Sequence, residues 1–96
     1  MTSDGRFEWD TEKAAANFGK HGVAFQEAVL AFRDPFAVEQ FDDRRNYGEQ
    51  RINMLAMWRG TVLHVTYSER DGNIRIISAR RAEKHEQYDY YRENTF

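Results

Sequence analysis

The chain has no cysteine, which excludes disulfides, thiolate zinc sites and thiol nucleophiles at the outset. Proline occurs once, at Pro35, and no apolar run approaches the roughly 18 residues needed to span a bilayer. The opening MTSDGRFEWD lacks the basic-then-apolar order of a signal peptide, so a cytoplasmic protein with no membrane contact is expected. A Gly-rich phosphate loop, a G-x-S-x-G elbow and a histidine pair at metal-ligand spacing are all missing. The expectation is therefore no cofactor and no bound metal. Aromatic residues, by contrast, are plentiful: seven Phe, five Tyr and two Trp in 96 residues. That content belongs to a folded chain and not to a disordered one. At this length it supports one compact domain over 1–96 with a modest core.

Charge is scarce only in sum. The net charge of −2 divides into −5 over residues 1–43, +5 over 44–82 and −2 over 83–96. Every basic residue of the middle block is an arginine: Arg44, Arg45, Arg51, Arg59, Arg70, Arg75, Arg80 and Arg81. Arginine is favoured over lysine where a planar fork must grip phosphate or carboxylate. The block fits either a salt-bridged, solvated strand face or a grip on an anionic partner.

The pattern of apolar residues gives the order of elements. Phe7 and Trp9 alternate with Arg6 and Glu8 as a short extended lead-in. Asp10 reads as an N-cap for a helix over Thr11 to Lys20, with Gly22 as its stop. Phe25, Ala28, Val29 and Phe32 build one apolar stripe of a second helix, closed by Asp34-Pro35. The period then becomes two. Phe36, Val38 and Phe41 mark a first strand, DDRRNYG (42–48) a turn, and 50–58 a second strand with Ile52, Met54, Ala56 and Trp58 on one face. Arg59-Gly60 leads to a third strand over 61–68, and Asp71-Gly72-Asn73 makes a hairpin to a fourth over 74–80. There Ile74, Ile76 and Ser78 oppose Arg75, Ile77 and Ala79. Residues 81–94 read as a closing helix. The expected fold is α+β: two N-terminal helices, a four-stranded antiparallel sheet and a C-terminal helix.

Chemistry concentrates where arginines meet carboxylates and tyrosines. Glu49 and Arg51 leave the same face of the second strand, Arg75 lies in the fourth, and Arg80 and Arg81 close it. Tyr67 and Arg70 flank the intervening turn. Metal-free RNA cleavage needs a base for the 2′-OH, cations for the phosphate and an acid for the leaving oxygen. Arginine supplies the second role. Glu49 or His21 fits the first, and Tyr67 or His21 the third. His64, mid-strand, reads as a packed or sheet-surface histidine, and His21 suits the C-terminus of the first helix.

FEWD (7–10), KHGV with F-x-E-A (20–28), DP (34–35), GEQR (48–51), HVTYSER (64–70) and RIISARRA (75–82) occur in this order. Together they resemble the BrnT family, the toxins of bacterial type II toxin–antitoxin systems, over nearly the whole chain. The resemblance implies a RelE-like fold, a small antiparallel sheet with helices packed on it. It also implies a metal-independent endoribonuclease that inhibits translation, with His21, Glu49, Arg51, Arg75 and Arg80 as catalytic candidates. Lys20, Tyr67, Arg70 and Arg81 would contact RNA. The implied partner is a BrnA-type ribbon-helix-helix antitoxin, through which the complex would reach operator DNA. The tail HEQYDYYREN is less basic than the closing helix expected of the family. A competing expectation is a non-catalytic adaptor or corepressor subunit that binds an antitoxin through the arginine-rich sheet face.

Overall fold

The structure, a computed structural model, describes residues 2–4, 6–42 and 49–95, and the backbone alone for 2–4. Most of the expected DDRRNYG turn, with Arg44 and Arg45, lies outside the described residues. In chain order the elements are β1 (Thr2–Asp4), β2 (Phe7–Trp9), α1 (Thr11–His21), α2 (Phe25–Ala31), β3 (Val38–Asp42), β4 (Arg51–Trp58), β5 (Thr61–Arg70), β6 (Asn73–Arg81) and α3 (Lys84–Glu93).

Local chemistry sets the boundaries. Asp10 caps α1 by accepting from the Lys13 N–H at 3.0 Å. Gly22, at φ 70°, ends it in the left-handed conformation that glycine adopts without steric cost. The two tight hairpins each place two residues at positive φ, Arg59-Gly60 and Asp71-Gly72, which matches the twist of the flanking strands.

The α+β class and the three helices are as expected, but the sheet is not the four-stranded antiparallel one. Among the described residues it has six strands, in the order β1-β2-β6-β5-β4-β3. β3 to β6 form the expected antiparallel meander. The Phe7–Trp9 lead-in adds to it, pairing parallel with β6 through Phe7↔Ile74 and Glu8↔Arg75, which makes the sheet mixed.

A second correction concerns β6. Thr66 pairs with Ser78 but Tyr67 pairs with Ile76, so Ile77 is the extra residue of a bulge. The bulge swaps the expected faces beyond it. Ala79 joins Ile74 and Ile76 in the core, and Ser78 falls on the side of Arg75.

The main core lies between the sheet and the α1–α2 pair. Trp9, Phe25, Met54, Val65, Tyr67 and Ile76 are buried there, and Ile52 and Trp58 pack against them from β4. Phe32 meets both Phe7 and Tyr67 edge-on, with ring centroids 5.0 Å apart in each case. Asn17 joins α1 to β6: its amide donates to Ala79 O at 2.7 Å, and its carbonyl accepts from Ala79 N–H at 3.2 Å. This side chain serves the strand's backbone as another strand would.

On the opposite face α3 covers only one end of the sheet. Tyr90 packs with Val62 and Ala82, and its hydroxyl donates to Asp34 at 2.6 Å. Asp34 also accepts the Met57 N–H at 2.8 Å, so a single carboxylate ties the α2–β3 loop to β4 and α3. No helix among the described residues is long and apolar enough to cross a membrane.

Candidate functional site

The face that α3 leaves uncovered is polar, and strand register arranges it in three transverse rows. The first holds Leu55, His64 and Arg80, beside α3. The second holds Gln40, Asn53, Thr66 and Ser78. The third runs across five strands as Asp42, Arg51, Ser68, Arg75 and Glu8. Rows two residues apart along a strand are separated by roughly 6.5 Å. A cleft of about 950 Å³ opens over the first two rows, walled by α3.

The third row runs acid, base, neutral, base, acid. Arg51 and Arg75 flank Ser68 from the two neighbouring strands, roughly 10 Å apart across two strand spacings. Ser68 is fully buried, and its hydroxyl has no hydrogen-bond partner among the described residues. Carboxylates hold the forks from the ends. Arg75 Nη1 lies 3.2 Å from Glu8 Oε2, and Glu49 lies 4.0 Å from Arg51 Nε and 3.4 Å from Arg70 Nη2. Two guanidiniums at this separation can grip one anion from both sides, with their orientations already set by the flanking acids.

The first row is differently engaged. Arg80 donates to both oxygens of Glu86 on α3, at 2.8 and 3.0 Å, and Glu86 also accepts the Glu83 N–H at 2.7 Å. Burial alone would raise the Glu86 carboxyl. The Arg80 and Glu83 hydrogen bonds, with the charge of His64, outweigh it and hold the carboxyl at about 2. The same hydrogen bond raises Arg80 above its ordinary value. His64 Nε2 stands 3.6 Å from Glu86 Oε2, at the edge of the cleft. Among the described residues no group of three or more His, Asp or Glu side chains converges as a metal site.

The structure thus brings together Glu49, Arg51, Arg70, Arg75 and Arg80 on one face. It does not bring His21, Lys20 or Tyr67 to them. His21 and Lys20 end α1, which packs on the other side of the sheet. Tyr67 is buried in the main core, where burial and a hydrogen bond to Glu39 push its hydroxyl up. Arg81 pairs across from the core residue Leu63, out of register with the polar rows.

Sequence reasoning missed Ser68, Glu8 and Glu86, and read His64 as a packed or sheet-surface histidine, which is where it stands. The period-two spacing of Ser68 from Thr66 and Arg70 was readable. The opposition of Glu86 to Arg80 was not, because it depends on how α3 turns back over the sheet.

An α+β protein with two arginines on an open sheet face can take an anionic ligand there. Residues 9–86 match the family described as ribonuclease toxin, BrnT, of type II toxin–antitoxin system, and the chain belongs to that family. The match runs from the end of β2 into the first turn of α3, and so includes Arg51, Ser68, Arg75, Arg80 and Glu86. No curated protein matches the chain. Membership of a type II toxin family implies an antitoxin partner and an RNA substrate.

Proposed function

We propose that the protein is a RelE-like endoribonuclease that cuts RNA without a metal ion and thereby inhibits translation. Its neutralising partner would be a BrnA-type ribbon-helix-helix antitoxin, which carries the complex to operator DNA. The observation that carries the cleavage site is the Arg51–Ser68–Arg75 row, with Glu49 set between Arg51 and Arg70.

In this reading Arg51 and Arg75 hold the scissile phosphate as negative charge builds in the transition state. Glu49 takes the 2′-OH proton, and the oxygen attacks the adjacent phosphorus. The P–O5′ bond breaks, leaving a 2′,3′-cyclic phosphate, and the 5′ oxygen takes its proton from solvent. Arg80 anchors α3 and His64 lines the cleft beyond it.

Cleavage of a defined RNA by purified protein tests the proposal directly. It should yield cyclic phosphate ends and continue in EDTA, with the RNA shown intact in a protein-free control. Loss of cleavage on chelation, restored by Mg²⁺ or Mn²⁺, would remove the metal-free mechanism. Antitoxin binding by a protein that cuts no RNA would mark the non-catalytic adaptor instead. In cells, induction should arrest growth and the cognate antitoxin should restore it.

A further inference from the structure

We infer that the middle row of the sheet face reads a nucleobase, and that Asn53 selects bases presenting carbonyl oxygens. The inference rests on the ribonuclease reading and assigns that site its sequence preference.

The row is neutral where its neighbours are charged. Gln40, Asn53, Thr66 and Ser78 lie between the Arg80 row and the Arg51–Arg75 row, on the floor of the cleft. In nucleic-acid recognition cations position the phosphates, while hydrogen-bonding side chains read base edges. A strand held by phosphate at Arg51 and Arg75 would lay its next base over this neutral floor, roughly 6.5 Å away.

Asn53 gives the floor a direction. An asparagine with both ends of its amide open pairs with adenine, accepting from one position and donating to another. Here one of the two lone pairs of Oδ1 is already taken. Thr66, its cross-strand partner, donates its hydroxyl to Asn53 Oδ1 at 2.8 Å. Two Nδ2 hydrogens then stand against a single remaining Oδ1 lone pair, so the side chain meets a ligand chiefly as a donor. A donor suits the carbonyl edge of uracil or guanine and opposes the exocyclic amino group of adenine.

The test is fluorescence anisotropy of the full chain with short labelled oligo(U) and oligo(A), folding being followed by circular dichroism. Wild type should bind oligo(U) about fivefold more tightly, the worth of roughly one neutral hydrogen bond. Asn53→Asp replaces the donor with an acceptor and should reverse the ratio, whatever its effect on overall affinity. Thr66→Val frees Oδ1 and should bring the ratio toward one, whereas Thr66→Ser keeps the hydroxyl and the preference. Equal affinities in wild type overturn the inference, as does a ratio that neither Asn53→Asp nor Thr66→Val alters. Failure of wild type to bind either RNA overturns the ribonuclease reading beneath it.

Discussion

Arg75 has two neighbours that define what its loss should do: a paired carboxylate on β2 and a buried hydroxyl on β5. With its side chain only 19% exposed, it is held in place by Glu8 and is not a loose surface cation. If it grips the scissile phosphate, Arg75→Ala should lower RNA cleavage on the order of 10²–10³, with the melting transition intact. Arg75→Lys keeps the charge but loses the planar fork, so it should recover activity only in part. Tyr67→Phe is the matched control. Its hydroxyl lies in the core on the opposite face, so its removal should cost about 0.5–1.5 kcal/mol of stability and leave cleavage within a few-fold of wild type. A folded Tyr67→Phe protein without activity would return the tyrosine to the site. Glu49 precedes β4, which begins only at Arg51, and so does not share the strand face as expected. The proximity of Glu49 to Arg51 was legible because the residues are two positions apart. The separation of Tyr67 and His21 from them was not. Residues that share a motif in sequence can leave opposite faces of a sheet.

At the level of elements, the long periodic segments were legible and the short or irregular ones were not. The spacing of Phe25, Ala28, Val29 and Phe32 marks α2, and the turn residues Asp71-Gly72 mark the β5–β6 hairpin, because each has a direct steric cause. Three residues, Phe7 to Trp9, carry too little pattern to announce a parallel pairing with β6. The bulge at Ile77 leaves no trace in hydropathy either, since isoleucine fits both faces.

The docking of α3 is likewise a tertiary event, and it depends on pH. Glu86 folds with its carboxyl held at about 2, well below its ordinary value of 4.5. A carboxyl depressed in the folded state adds stability above its unfolded value and loses it as pH falls toward the folded one. Stability should therefore drop between about pH 4.5 and 2. Asp34 is also lowered: burial opposes the shift, but hydrogen bonds from Tyr90 and from the Met57 and Phe36 N–H groups outweigh it. It adds to the same slope. Glu86→Gln should flatten part of that decline in thermal melts at stepped pH while lowering stability at pH 7. An unchanged acid profile in the variant would show that Arg80 and Glu86 do not fasten α3.

For the whole molecule, the sheet divides labour between its faces. One face carries the apolar core with α1 and α2, and the other is left polar over two of its three rows. The chain is net acidic at −2, so in the proposed reading RNA attraction belongs to the arginine row and not to the whole surface. The acidic wall of α3, with Asp89 and Glu93 at the cleft, restricts it further. This arrangement fixes the salt dependence of binding. Each phosphate neutralised on single-stranded RNA contributes a slope of roughly −0.7 in log affinity against log salt. Arg51 and Arg75 on the scissile phosphate and Arg70 on a second would thus give a slope of about −1.4, where a broadly basic RNA-binding surface gives far steeper values. Arg75→Ala should make the slope shallower by at most about 0.7, since Arg51 stays on the same phosphate, and Arg59→Ala, in the β4–β5 turn at the other end of the sheet, should leave it unchanged. Titration of a labelled oligonucleotide at several salt concentrations measures both. A steep slope that Arg75→Ala does not alter would place RNA on another surface, and with it the cleavage chemistry assigned to this row.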